Sequence, residues 1–95
     1  MFARVATHEG GSNEKMREMM DQRKAEGDLG LPEGVRRAVA LVGENRRLFI
    51  AFFDSREALD AAETAFDAMG DDIPEDVRGR RTSVEVYEVV ADESM

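Results

Sequence analysis

Val35-Arg36-Arg37-Ala38-Val39-Ala40-Leu41-Val42-Gly43-Glu44-Asn45-Arg46-Arg47-Leu48-Phe49-Ile50-Ala51-Phe52-Phe53 holds two strand-length apolar runs joined by a short polar turn. Such runs, broken by Gly and Asn, read as a β-hairpin. With Glu44 and Asn45 as the central turn residues, Leu41 faces Leu48, Val39 faces Ile50 and Arg37 faces Phe52 on one surface of the sheet. On the other surface, Val42 faces Arg47, Ala40 faces Phe49, Ala38 faces Ala51 and Arg36 faces Phe53. The pattern is read with Val39, Leu41, Leu48, Ile50 and Phe52 beneath helices, leaving Ala38, Ala40, Phe49, Ala51 and Phe53 to a partner or ligand; a slip of one residue exchanges the faces. Both faces are largely apolar, so both need cover.

A helix follows the hairpin directly. Asp54 is expected to cap it, with Glu57 three residues on completing a capping box. Ala58, Leu59, Ala62, Ala65, Phe66 and Met69 form a narrow apolar stripe, and Gly70 is expected to end the helix. Working outward, Phe2 to Thr7 alternates around Val5 as a first strand, broken by His8-Glu9-Gly10-Gly11. Ser12 or Asn13 then opens a helix to about Glu26 with Met16, Met19 and Met20 on one face, and Gly27 supplies a left-handed terminus. Asp28 to Gly34 is a loop with Leu29 and Leu31 tucked against the sheet, and Asp71 to Gly79 is an acidic loop. Arg80 to Val90 supplies a last strand, with Val84 and Val86 on one face and Glu85 and Tyr87 on the other; Ala91 to Met95 reads as a frayed tail.

The order βαββαβ, with right-handed crossovers, gives an α+β, ferredoxin-like domain over residues 1–95: a four-stranded antiparallel sheet with two helices on one face. Two helices cover one face of that sheet, so a second subunit, a ligand or both must cover the other.

Composition narrows the partners. The chain has 21 acidic and 13 basic side chains, a net charge of −8, so phosphate backbones and anionic membranes are unfavourable partners. The basic spots at Arg36-Arg37, Arg46-Arg47 and Arg78 with Arg80-Arg81 are short, flanked by acids, and read as solvated. There is no cysteine, which removes disulfides and thiolate chemistry. No apolar run approaches membrane-helix length, and Met1 leads straight into a strand, so a cytoplasmic protein is expected.

Few side chains can carry chemistry. His8, the single histidine, is a candidate general base with an unperturbed pKa near neutrality; the plainer reading is an ordinary loop residue. Arg4, Glu85 and Tyr87 are expected on one face, able to orient a small polar ligand or shuttle a proton, or else to form an Arg4–Glu85 ion pair with Tyr87 at a dimer seam. Phe2, Phe49 and Phe53 are candidate pocket walls, or plain core. One histidine makes no metal site alone, and Gly10-Gly11 lacks the spacing of a dinucleotide fingerprint, so no metal or cofactor is expected.

From Leu48-Phe49-Ile50-Ala51-Phe52-Phe53-Asp54-Ser55-Arg56-Glu57-Ala58-Leu59 the chain resembles the antibiotic biosynthesis monooxygenase-like families of the dimeric α/β barrel superfamily. The shared features are an apolar strand ending in an aromatic, an acidic or serine turn, and a helix opening with Glu-Ala and an apolar residue. Gly34-Val35, Gly79-Arg80-Arg81 and Tyr87 fit the same layout. The resemblance implies a homodimer whose helix-free sheet faces meet to form a barrel. It further implies a pocket for a small apolar or aromatic molecule and, as a candidate reaction, cofactor-independent oxidation of an aromatic or quinol-like substrate. The alternative is a non-enzymatic dimeric binding or interaction module. This chain departs from haem-degrading relatives: Phe53 stands where they carry a tryptophan, the second helix has no histidine, and the family's pocket asparagine is unmatched in the first strand, Asn13 falling later.

Overall fold

Hydrogen bonding from Gly43 N to Arg46 O (2.7 Å) closes the hairpin around Glu44 and Asn45, and the register follows the sequence reading pair for pair, from Arg37 opposite Phe52 to Val42 opposite Arg47. A computed structural model describes residues 1–27 and 31–94; Leu29 and Met95, placed above in a loop and a tail, lie outside them. The elements are β1 (Phe2–Glu9), α1 (Asn13–Glu26), β2 (Arg37–Val42), β3 (Arg46–Phe53), α2 (Arg56–Asp72), α3 (Glu75–Arg78) and β4 (Arg80–Glu88). The sheet has the order β2-β3-β1-β4, all antiparallel, the ferredoxin-like α+β arrangement. Among the described residues no helix is long and apolar enough to cross a membrane.

The faces are the reverse of those expected. Phe53 is wholly buried and meets the Phe66 ring of α2 edge-on at 6.1 Å. With Ala51, Leu59 and Ala62 it forms the core, and Phe2, Val35 and Val86 pack around it. Phe49, Ala51 and Phe53 therefore lie on the helix side, with the exposed Ala38 and Ala40 of the edge strand on the same face, and Val39, Leu41, Leu48, Ile50 and Phe52 form the open face. The cause lies in α2: its large residues Leu59 and Phe66 fit against Ala51 and Phe53, where a small residue beside a large one lets the layers interlock.

Local boundaries move for identifiable reasons. β1 continues through His8 and Glu9, which pair with Arg47 and Arg46, so only the left-handed Gly10-Gly11 ends it. Ser55, not Asp54, caps α2, its Oγ accepting from Ala58 N at 3.1 Å; Asp54 is instead ion-paired with Arg36 at 3.3 Å. The helix runs through Gly70 to Asp72, because Pro74 disfavours helical geometry at Ile73 rather than because the glycine stops it. The expected acidic loop contains α3. At the other helix the cap is as read: Ser12 Oγ accepts from Lys15 N at 3.2 Å, and Gly27 takes φ 75°. β4 stops at Glu88, two residues early.

Candidate functional site

β1 carries the site because it lies inside the sheet, between β3 and β4. Its inward residues are Phe2, Arg4, Ala6 and His8, opposite Phe53, Ala51, Phe49 and Arg47 of β3. Ala6 leaves a hollow between two long polar side chains. Above it lies a cavity of about 470 Å³ between the sheet, α1 and α2, a size usual for small-molecule sites. Its wall is mostly apolar: Ala6, Met16, Met19, Met20, Phe49 and Phe66 contribute to it. Leu31, expected against the sheet, stands at this wall yet remains exposed.

Arg4 is buried on the cavity wall. Its Nε donates to Glu63 Oε1 of α2 at 2.9 Å, and its guanidinium carbon lies 4.3 Å from the centre of the Phe66 ring. The Arg4–Glu85 pair considered above does not form. Arg4 is opposite Val86, whereas Glu85 and Tyr87 are opposite Val5 and Ala3 and so occupy the open face. There the Tyr87 hydroxyl donates to Glu85 Oε2, a bond that raises the tyrosine pKa. His8 and Arg4 are thus brought together with Phe49; Tyr87 and Glu85 are set apart from them, and Phe2 and Phe53 belong to the core.

His8 is buried, its ring meeting Phe49 edge-on at 5.3 Å, and its Nδ1 has no hydrogen-bond partner. Burial, reinforced by Arg78, Arg81, Arg47 and Arg4, lowers its pKa from 6.5 to about 4. One of these arginines arrives through a β-bulge. The β1–β4 register shifts after Thr7, which pairs with Ser83, so that His8 pairs with Arg81 and Thr82 is skipped. The bulge turns Arg81 to the His8 face, where Arg81 meets Asp67 of α2 at 3.1 Å.

Because the folded pKa of His8 lies below its ordinary value, the unfolded chain takes up the proton first as pH falls. The stabilisation is fully present above pH 6.5 and is lost progressively towards pH 4. His8→Gln is expected to remove about 1–3 kcal/mol of this pH dependence. Urea titrations of both proteins at pH 7.5, 6, 5 and 4.5 would check it, and parallel stability–pH curves would contradict it.

Beneath the cavity, Arg47 is 1 % exposed and has no carboxylate among its hydrogen-bond partners. Its Nη1 donates to Asn13 Oδ1 at 2.6 Å, and its Nη2 donates to Gly10 O and to Arg78 O, the latter at 3.0 Å. Asn13 in turn donates to Gly43 O at 2.8 Å. One side chain thereby ties the end of β1, the start of α1 and the end of α3 to β3. Gly11 and Gly79 make room for it: a Cβ on Gly11 would lie 2.7 Å from Arg47 Nη2, and one on Gly79 2.6 Å from the same atom. Arg78 reaches only carbonyls, those of Ile73 and Gly79, both at 3.0 Å. The arginine cluster was hidden from the sequence reading because its members come from four elements. Among the described residues no group of three or more metal-ligating side chains converges.

No family model matches the chain, and no curated protein does. Among solved structures it is similar to the crystal structure of a Chloroflexus aurantiacus protein assigned provisionally as an antibiotic biosynthesis monooxygenase. The TM-score is 0.59 over 98% of this chain and 96% of that one, at 13% identity. At that identity the two chains share a fold, and the likeness reaches the fold expected from the sequence resemblance.

Proposed function

We propose that this protein is a homodimer that binds a small apolar or aromatic molecule in the cavity beside His8 and Arg4, with monooxygenase-like oxidation as the reaction such a site would serve. The carrying observation is the cavity itself: a mostly apolar wall with two buried polar side chains, Arg4 and His8, set into it. The shared fold with the provisionally assigned monooxygenase supports the reading without supplying a substrate.

Near neutral pH His8 is unprotonated and can accept a proton, although as a weak base. Burial, with the neighbouring arginines, holds it neutral, and the same arginines would stabilise a substrate anion formed beside it. An activated aromatic methylene could then supply all four electrons: the CH₂ group and O₂ give a carbonyl and water, with no added reductant. Oxygen uptake with a panel of anthrone-like and quinol substrates tests this. Turnover unchanged in His8→Gln would remove His8 from the reaction, and a cavity that binds panel members without turnover would favour the binding-module alternative.

The open face supports the dimer reading: Val39, Leu41, Leu48, Ile50 and Phe52 form an apolar sheet surface in a 95-residue chain. Tyr87 and Glu85 belong to this proposed seam. Ile50→Lys, in the middle of that face, is expected to convert a dimer to a monomer at micromolar concentration in sedimentation velocity. A wild-type chain that sediments as a monomer would overturn the arrangement.

A further inference from the structure

The charge around the cavity runs against the charge of the protein. In a chain of net charge −8, the described residues of the cavity lining include Arg4, Arg23, Arg78 and Arg81 against two acids, Asp67 and Asp71. Arg47 adds a fifth guanidinium just below, close enough to act on His8. Compensation is incomplete. Glu63 meets Arg4 and Asp67 meets Arg81, whereas the hydrogen bonds of Arg78 and Arg47 go to uncharged oxygens.

Among the described residues two buried polar atoms at this wall, Arg4 Nη2 and His8 Nδ1, have no partner, and Arg47 Nε beneath it has none either. Leaving such atoms unsatisfied is costly, and a buried cation without a counter-charge more so. A native structure that keeps both around an open cavity is arranged for something that enters it. A neutral apolar molecule would answer neither the charge nor the unpaired polar atoms.

We infer that the ligand is an organic monoanion: an apolar, ring-sized body resting on Met16, Met19, Met20 and Phe49, with a carboxylate or comparable acidic group at the His8 end between Arg78 and Arg81. This rests on the cavity reading above and narrows it to a charge class. The methionines suit the body because their flexible, polarisable side chains adapt to flat rings. The low-dielectric wall strengthens attraction between the arginines and the anion relative to water, and the acidic exterior does not compete once the ligand is inside.

Two probes of nearly equal shape separate charge from shape: 2-naphthoate and the uncharged 2-naphthamide. The chain has no tryptophan and a single tyrosine, so naphthalene fluorescence reports binding directly. The carboxylate is expected to bind at least tenfold more tightly than the amide at low salt, with the difference shrinking in 0.5 M NaCl. The double variant Arg23→Gln/Arg81→Gln changes side chains at the cavity margin and should reduce naphthoate affinity about fivefold or more while leaving naphthamide affinity within twofold. Circular dichroism and urea unfolding establish that it is folded, and Arg81→Lys should recover most of the loss in Arg81→Gln. Equal binding of the two probes would overturn the anion inference and leave the cavity reading standing. Binding of neither up to millimolar concentration would overturn both.

Discussion

Phe53→Ala is expected to destabilise the protein by about 3–5 kcal/mol. Phe53 is 0 % exposed and sits at the centre of the core with Ala51, Leu59 and Ala62. Its neighbours Ala51 and Ala62 are already small, so they have little side chain with which to fill the void. A loss of that size is a large part of the total stability of a single domain, about 5–15 kcal/mol. The adjacent Phe52→Ala gives the necessary contrast. Phe52 points to the open face, where Arg37 lies 5.9 Å from its ring centre. Its loss should depend on protein concentration, through the proposed dimer, whereas the Phe53 loss should not. Urea unfolding of both variants over a hundredfold concentration range measures the difference. A larger, concentration-independent effect at Phe52 would mean that the two faces are exchanged.

Arg47→Met should cost about 2–4 kcal/mol, although methionine matches much of the arginine's length and carries no charge to desolvate. Removing the charge alone would be neutral or favourable. What outweighs it is the fate of the acceptors: Gly10 O, Arg78 O and Asn13 Oδ1 would each lose a donor in a place that water reaches poorly, at about 1–3 kcal/mol for each one left unsatisfied. Hydrogen exchange separates this from a general loss of packing. Amides around Gly10, Asn13 and Gly79 should lose protection before those of α2. Uniform loss across the sheet and α2 would show that Arg47 contributes bulk rather than ties.

The sequence carried the hairpin register because Gly43, Glu44 and Asn45 permit one short turn and the apolar runs on either side have nearly equal length. It did not carry the choice of face. Alternation normally decides that, but Ile50 and Phe49 are equally apolar, and β1 offers Arg4 and His8 on its inner side, where pattern reading expects aliphatics. A cavity makes those polar residues tolerable inside. For the same reason His8 was legible as a candidate, yet its burial was not. The start of α2 was ambiguous because Asp54 and Ser55 are both good capping residues, and the difference lies in whether Arg36 engages the aspartate. Arg78 and Arg81 were visible as charges and read as solvated; one skipped residue, Thr82, brings Arg81 to the histidine. No local pattern announces a bulge of that kind.

β1 has a consequence for how the chain reaches its fold. Its pairing with β4 joins residues 2–9 to residues 80–88, and the junction extends to a hydrogen bond from Val89 N to Met1 O at 2.9 Å. One of the two inner strands of the sheet, β1, thus precedes every other element of the domain and receives β4 as its neighbour only after all of them have been made. Until then one backbone edge of β1 stays open, and closing it bears the entropy of a loop that contains every other element of the domain. The hairpin and α2 can organise early from local contacts, but the floor of the ligand cavity is completed at the end, so acquisition of binding should coincide with the final, slowest phase of folding.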